Sequence, residues 1–270
     1  MLSSRLWSDL SVLDFQSALL PQTIAILPIA AIEQHGPHLP LGVDAMIMEG
    51  CLKRALSLLP ETLAAVFLPI QKIGVSLEHK DFPGSLSLSS KTAAQMLFEI
   101  SQSVSRAGIK KLILMNSHGG NSAVISQLSL ELRAQLNLLA VTCSWSRFGY
   151  PPGLFSEEEI RLGVHGGDIE TSLMLALRPE LVDQKKAKNF TSAALKYEHD
   201  FIWLRPDRPA GFGWMAEDLS IEGALGDASQ ASAAKGEAVI NYWARAFIDL
   251  LKDVERFDLA NLRPAPELKL

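Results

Sequence analysis

Most of the residues that could carry chemistry lie in four short segments of the sequence. The segments contain five of the six histidines, and each also contains Asp, Glu or Asn beside Gly or Pro. Imidazole and carboxylate groups together are the ligands that zinc and manganese use in proteins, and histidine also transfers protons near neutral pH. The pattern therefore indicates a metal-dependent catalytic site. The four segments are residues 33–44, 74–84, 116–121 and 165–172.

The first segment has the spacing of a metal site. Glu33 and His35 are two residues apart, so on an extended chain their side chains share a face. Asp44 stands where a helix would begin, and His118 comes from a different segment. One ion would use three or four of these groups, whereas several carboxylates with two or more histidines favour two ions bridged by one aspartate. With Glu170 as a third carboxylate, a bridging hydroxide would bring a two-ion site close to neutrality.

Structural roles are also open to several of these residues. Asp44 could act solely as a helix cap, and Asn121 is more typical of a cap than of a ligand. His38 suits a hydrogen-bonding position in a loop, and Glu78 could form a surface pair with His79. The prediction of a metal site therefore depends on the clustering of the four segments and not on any single residue.

Composition narrows the class of protein. The chain has 270 residues and a net charge of -5, which argues against a broad surface for nucleic acid or anionic membrane. Its two cysteines, Cys51 and Cys143, are far apart and suggest a reducing compartment. Acidic residues interrupt the N-terminal apolar residues, and no stretch is apolar enough to span a membrane. We therefore expect a cytoplasmic protein with no nucleic-acid or membrane partner. Residues 211–216 superficially match a dinucleotide-binding fingerprint but do not close a βαβ unit.

Short apolar runs alternate with amphipathic stretches, which predicts strands alternating with helices. Such a chain forms a mostly parallel sheet covered by helices on both faces, a three-layer α/β/α sandwich, here as a single domain over residues 1–270. Residues 185–228 are expected to be irregular. Ligands of such sheets bind beyond the carboxyl ends of the strands, so chemistry is expected just after residues 30, 70, 116 and 145. The predicted strands are residues 23–30, 64–70, 111–116 and 137–145, and the predicted helices are residues 44–58, 89–108, 121–136, 168–177 and 229–254.

At these segments the chain resembles the creatininase family of amidohydrolases. Four motifs match in the order in which the family has them, from about residue 25 to about residue 180. Each motif alone is weak, but four in order are highly specific. They are Glu33-Gln-His35-Gly-Pro-His38 with Asp44, Gly74-x-Ser76-x-Glu78-His79 with Phe82-Pro-Gly84, Asn116-x-His118-Gly-Gly-Asn121, and His165-x-Gly-x-x-Glu170-Thr-Ser172.

The resemblance implies a single α/β domain, a homohexamer and hydrolysis of amide C–N bonds at a centre of two divalent ions. The ions would be zinc, manganese or both, with iron as an alternative. By position, Glu33 and His118 would bind one ion and His35 the other, and Asp44 would bridge them. His165 matches the residue that transfers a proton to the departing nitrogen.

The sequence departs from the family at Gly120, where creatininases proper have a glutamate ligand. Glu170 is the candidate for the missing carboxylate, and we assign it to both the ligands and the catalytic residues. Ser76 and Glu78 would line the substrate side.

The expected substrate is a small cyclic amide or a formamide. Aromatic residues of the irregular stretch would stack on a flat substrate, and Trp145, Trp203 and Trp214 are the candidates for the tryptophans that enclose creatinine in the family. One alternative is a peptidase that trims a short peptide. Another is a metal-binding relative without turnover, which the complete set of ligands together with His165 argues against.

Overall fold

A sheet of four parallel strands forms the centre of the protein. The computed structural model describes residues 2–16 and 20–263. The strands are β1 (Ile24–Ile29), β2 (Ala65–Phe67), β3 (Lys111–Asn116) and β4 (Leu139–Ser144). Their order in the sheet is β2-β1-β3-β4. Every residue of β1, β2 and β3 is buried, which explains why these strands are apolar runs without polar alternation.

Two layers of helices cover the sheet. The helices are α1 (Val43–Leu58), α2 (Ser90–Arg106), α3 (Ser122–Leu136), α4 (Glu157–Leu162), α5 (Asp168–Leu177), α6 (Ala194–Asp200), α7 (Ala216–Leu219) and α8 (Ala233–Arg256). Alternate side chains of β1 face opposite layers, because Ile24 and Ile26 pack with α1, α5 and α8, whereas Ala25 and Leu27 pack with α2 and α3. The predicted three-layer α/β/α architecture is confirmed.

The stretch predicted to be irregular contains short elements that its composition did not predict. Besides α6 and α7, it contributes four strands of two residues each. β5 pairs with β8 in an antiparallel ladder, and β6 pairs with β7. The strands are β5 (Asn189–Phe190), β6 (Leu204–Arg205), β7 (Ala210–Gly211) and β8 (Gly226–Asp227).

Several predicted boundaries were wrong by a few residues, each with a local cause. Strand β2 ends at Phe67 and not at residue 70, since Pro69 has no N–H for a ladder bond. Asn137 adopts a left-handed conformation that ends α3, so β4 begins at Leu139. Helix α8 begins four residues later than predicted because Ser232 caps it, accepting a hydrogen bond from the main-chain N–H of Lys235.

The register of the sheet brings the chemical segments together. Ile29 pairs with Asn116, and Asn116 pairs with Ser144, so the carboxyl ends of three strands form one edge. The segments 33–44 and 116–121 both leave this edge, where the strand-end rule places ligands. Among the helices of the described residues, none is long and apolar enough to cross a membrane.

Replacement of Gly236 by Ala is expected to destabilise the fold. Gly236 lies where α8 crosses α5, and a Cβ there would overlap the main chain of Ser172 and Leu173. The helices would have to separate, at a cost of about 1–3 kcal/mol that outweighs the roughly 1 kcal/mol gained by Ala over Gly in a helix. Urea unfolding measures the difference. The control is Gly213→Ala, since a Cβ there meets no described atom within 4 Å. Equal stability of Gly236→Ala and the wild type would contradict the prediction.

Candidate metal centre

The residues suggested as ligands by the sequence lie together beyond the carboxyl edge of the sheet. Glu33 and His35 follow β1, and Asp44 is in the first turn of α1. His118 follows β3, and Glu170 is in the first turn of α5. All of them except Glu170 are at least 95% buried, and the Glu170 side chain is 18% exposed. Five residues from three parts of the chain thus share one small volume.

Distances within this volume divide the groups into two overlapping sets. Glu33 Oε1 lies 3.1 Å from His118 Nδ1. His35 Nε2 lies 3.5 Å from Asp44 Oδ2 and 3.7 Å from Glu170 Oε2. Asp44 connects the two sets, since ligand atoms of Glu33, His35 and Asp44 all lie within 4.8 Å of one another. Such spacings suit two neighbouring cations with Asp44 between them.

Buried polar atoms without partners provide the test of whether a cation fits. A buried acceptor with no partner costs about 1–3 kcal/mol, and such atoms are rare in folded proteins. Within residues 2–16 and 20–263, four of the five side-chain atoms in this state belong to the cluster. They are Oε1 and Oε2 of Glu33, Nε2 of His35 and Oδ2 of Asp44. A divalent cation would satisfy these acceptors, so the residues present fit one.

Main-chain carbonyls fix the orientation of both candidate histidine ligands. His35 Nδ1 lies 3.0 Å from the carbonyl oxygen of Glu33, and His118 Nε2 lies 2.7 Å from that of Val75. A ring nitrogen that donates to a carbonyl leaves the other nitrogen with its lone pair free. The free nitrogens, His35 Nε2 and His118 Nδ1, both face the carboxylates.

Burial and charge pairing set the protonation of the cluster. Burial alone would raise the pKa of Glu33, but the His118 charge holds that pKa well below its usual range. Burial alone would lower the pKa of His118, but the Glu33 carboxylate raises it to about 10. Burial and the Glu33 charge raise the pKa of Asp44 well above its usual value, and burial raises the pKa of Glu170 to about 7. Near pH 7 the cation-free cluster therefore holds protons that a bound cation would displace.

Gly120 has a steric reason to be glycine. A Cβ at this position would overlap the carbonyl oxygen of Val75 and approach His118 Nε2, which together form the hydrogen bond that orients His118. It would also come within 2.7 Å of Glu78 Oε1. A carboxylate at residue 120 is therefore incompatible with this arrangement, whereas the Glu170 carboxylate lies 3.7 Å from His35 Nε2.

His165 lies against the cluster in a stack of three imidazole rings. Its ring centroid is 4.1 Å from that of His35 and 4.3 Å from that of His79. Its Nε2 lies 2.6 Å from the main-chain oxygen of Gln34, and its Nδ1 lies 3.7 Å from Glu33 Oε1. Burial, and next the His35 charge, lower the pKa of His165 to about 3, so it is neutral near pH 7.

The interpretation of His79 as part of a surface pair was wrong. His79 is 3% exposed, and its Nε2 lies 3.4 Å from Glu33 Oε1. Glu78 lines the adjacent cavity with its side chain 21% exposed. Both residues belong to the short helical turn Leu77–His79 and both contribute to the lining of that cavity. Sequence reasoning missed His79 because two neighbouring polar residues in a loop do not reveal which of them is buried.

The remaining polar residues of the motifs hold the loops together. Asn121 directly precedes α3, but its side chain makes no capping hydrogen bond to that helix. Its Oδ1 accepts a hydrogen bond from the Val75 N–H, and its Nδ2 donates to the Ala30 carbonyl and to Asn116 Oδ1. His38 forms a hydrogen bond with Thr171 Oγ1, in agreement with a loop position.

A cavity of about 780 Å³ opens above the cluster. Glu33, Asp44, His118 and Glu170 contribute to its floor, and residues between 192 and 225 form much of its opposite wall. Ser76 is fully buried beneath the floor, with Oγ 3.5 Å from His118 Nε2, so it supports the site and does not line it.

Of the three candidate tryptophans, only Trp214 lines this cavity in the described part of the chain. Trp145 belongs to the core between α1 and α8, and Trp203 is 69% exposed. His199 is exposed beside Asp200.

Comparisons with known proteins agree with this geometry. The family model described as creatinine amidohydrolase matches residues 8–251. The creatinine amidohydrolase of Pseudomonas putida is 29% identical over 246 residues, which cover 85% of this chain and 89% of that protein. The mycofactocin precursor peptide peptidase of Mycolicibacterium smegmatis is 27% identical over 233 residues, which cover 85% of this chain and 84% of the relative.

Solved structures give the same result for the fold. A manganese form of creatininase superposes with a TM-score of 0.74 at 25% identity, over 94% of this chain and all of that one. A creatininase variant described as a Zn-Zn type superposes with the same TM-score, identity and coverage. The family match covers most of the chain, and the sheet edge carries the buried carboxylate and imidazole groups of a metal site. The chain therefore belongs to the creatininase family of hydrolases.

Proposed function

We propose that the protein is a metal-dependent amidohydrolase that cleaves the C–N bond of a small cyclic amide or a formamide. The observation that carries the proposal is the buried cluster of unpartnered carboxylate and imidazole atoms at the floor of an open cavity. A neutral histidine, His165, stands beside that cluster. The similarity to a creatinine amidohydrolase supports a small cyclic substrate.

The residues present suit two divalent ions, zinc or manganese, with iron as an alternative. Glu33 and His118 would hold one, His35 and Glu170 the other, and Asp44 both. When bound, such ions polarise a carbonyl and lower the pKa of a water molecule to near 7. The zinc and manganese forms of similar creatininases support this choice of metals.

His165 is the residue of this chain that would move a proton. Its Nε2 is held by the main-chain oxygen of Gln34, so its Nδ1 carries the free lone pair and faces Glu33. A neutral imidazole of low pKa accepts a proton only transiently and returns it readily. We therefore assign His165 the transfer of a proton from the attacking water to the departing nitrogen.

The cavity walls would select the substrate. Trp214 offers an aromatic face, and its Nε1 is fixed by a hydrogen bond to the carbonyl oxygen of Pro206. Glu78 is an acceptor beside His118 in the cavity. A flat amide with an N–H group would stack on the Trp214 ring and donate a hydrogen bond to the Glu78 carboxylate.

A peptidase acting on a short peptide is the second candidate. Three arginines line the cavity, and cations there would suit the carboxylate at the end of a peptide. All three already have partners: Arg161 pairs with Glu198, Arg205 donates to main-chain carbonyls, and Arg208 pairs with Asp207. Because none of the three is held ready for a carboxylate, we favour the small amide. A homohexameric assembly and a cytoplasmic location stay predictions.

Metal content is expected to distinguish the roles of Asp44 and Glu170. Asp44→Ala should bind neither ion after dialysis, because the bridge serves both sites. Glu170→Gln should retain one ion, because the Glu33 and His118 side is intact. Metal per chain is measured by inductively coupled plasma mass spectrometry. Glu180→Gln, the same change at an exposed residue paired with Arg178, is the control. An Asp44→Ala protein that keeps both ions would disprove the bridging role.

His165→Ala is expected to keep its metal and lose about 10²–10⁴-fold in kcat, the usual contribution of a general acid–base group. The comparison is with His199→Ala, since His199 is exposed and is not among the residues that line the cavity. Metal analysis accompanies the kinetics. Loss of metal from His165→Ala would make His165 a ligand instead of a proton carrier.

A substrate panel tests the proposed class. Zinc-loaded and manganese-loaded protein are assayed with creatinine, other small lactams, ring-bearing formamides and short unblocked peptides. We expect turnover of one or more small planar amides and little release of residues from the peptides. Efficient release of a C-terminal residue, with no reaction of any small amide, would favour the peptidase.

A further inference from the structure

Gln34 lies between two of the candidate ligands in the sequence, and its side chain is buried beneath the imidazole stack. Its Oε1 accepts a hydrogen bond from the Gly36 N–H at 2.8 Å, and its Nε2 donates to the Gly223 carbonyl at 2.9 Å. A main-chain N–H can only donate and a carbonyl can only accept. These two contacts therefore fix which end of the Gln34 amide is oxygen and which is nitrogen.

The approach of Gly223 to this amide requires glycine. Gly223 has a φ of +76°, and a Cβ there would overlap the Gln34 amide group. Gly36 also has a positive φ, of +74°. Both main-chain partners of Gln34 thus occupy conformations that glycine adopts most readily.

The fixed amide determines the tautomer of His79. Gln34 Nε2 lies 2.8 Å from His79 Nδ1 and has one N–H left after the bond to Gly223. His79 Nδ1 must accept this hydrogen bond, so the ring proton of neutral His79 is on Nε2. That N–H faces Glu33 Oε1 at 3.4 Å.

The same residue also determines the tautomer of His165, which again has its proton on Nε2 but approaches Glu33 with Nδ1. The main-chain oxygen of Gln34 lies 2.6 Å from His165 Nε2 and can only accept, so His165 carries its proton on Nε2. Both N–H bonds of the Gln34 amide are already used, and its 3.2 Å approach to His165 Nε2 adds no further bond. The two stacked rings thus face Glu33 differently: His79 with an N–H, His165 with a lone pair.

We propose that Gln34 is a positioning residue that holds His79 neutral with its ring proton on Nε2, the nitrogen 3.4 Å from Glu33 Oε1, while its own carbonyl leaves His165 Nδ1 as an acceptor. The proposal rests on the proposed function for its kinetic consequence but not for its structural one. With both ring nitrogens of His79 engaged in this way, the proposal excludes His79 as a metal ligand, although ligand atoms of Glu33, His79 and His165 lie close enough together to hold an ion. A donor at His79 would orient the Glu33 carboxylate toward its own ion.

Solid-state ¹⁵N NMR of zinc-loaded protein labelled at histidine tests the tautomers directly, because protonated and unprotonated ring nitrogens have well-separated shifts. The wild type should show His79 with an unprotonated Nδ1, assigned by the signal lost in His79→Asn. In Gln34→Glu a carboxylate oxygen replaces the donor, so the His79 Nδ1 signal should move to the protonated range. Gln127→Glu, the same change on the exposed face of α3, should leave the spectrum unchanged.

Kinetics on whichever amide the protein hydrolyses provide the second measurement. Gln34→Glu should lower kcat by on the order of 10–100-fold, the usual effect of a changed partner of a metal-site residue, with KM changed less than kcat. Gln34→Met, which keeps the shape and removes the hydrogen bonds, should also lower kcat.

A wild-type spectrum with a protonated His79 Nδ1 would overturn the inference, even if no Gln34 variant folds. An unchanged spectrum in folded Gln34→Glu would do the same. Failure to hydrolyse any amide would instead count against the proposed function and leave the tautomer result standing.

Discussion

Glu33 lies just beyond the first central strand with its surface fully buried, and neither carboxylate oxygen has a hydrogen-bond partner among the described residues. Taking a carboxylate out of water costs several kcal/mol unless a charge compensates it. The neighbouring imidazole groups offset part of this cost. His118 approaches Glu33 within 3.1 Å, and His79 and His165 turn their rings toward the same oxygen. A cation would satisfy Glu33 and Asp44 together, so binding one would also stabilise this part of the fold.

A second buried carboxylate holds the segment that carries His165 and Glu170. Glu159, in α4, accepts hydrogen bonds from the main-chain N–H groups of Ile169 and Asp227. It thereby joins α4 to the start of α5 and to β8. Three glycines surround the Glu159 carboxylate, and a Cβ at any of them would overlap it: Gly163, Gly167 and Gly226. The position of Glu170 at the first turn of α5 thus depends on a carboxylate that never reaches the cavity.

Physical rules applied to the sequence predicted the sheet, the layers and the location of the chemical segments, since apolar runs and the strand-end rule depend on local pattern alone. They did not predict the burial of His79, because that follows from how the loop after β2 packs on a distant segment. The role of Gln34 could not be predicted from the sequence either, since its partners Gly36 and His165 are separated by more than a hundred residues. Residues 185–228 had no periodicity to interpret, and their short strands form only through pairing with each other.

That irregular region connects the cavity wall to the hydrogen bonds that orient the imidazole rings. It supplies the cavity wall around Trp214, and it also supplies Gly223, whose carbonyl fixes the Gln34 amide. Two residues later, the Leu225 N–H donates to the carbonyl of His165 at 2.7 Å. Changes at Gly223 or Leu225 would therefore alter the wall and also disturb the hydrogen bonds that orient His79 and His165. Substitutions earlier in the wall, such as at Trp214, would change the cavity surface while leaving these two main-chain hydrogen bonds in place.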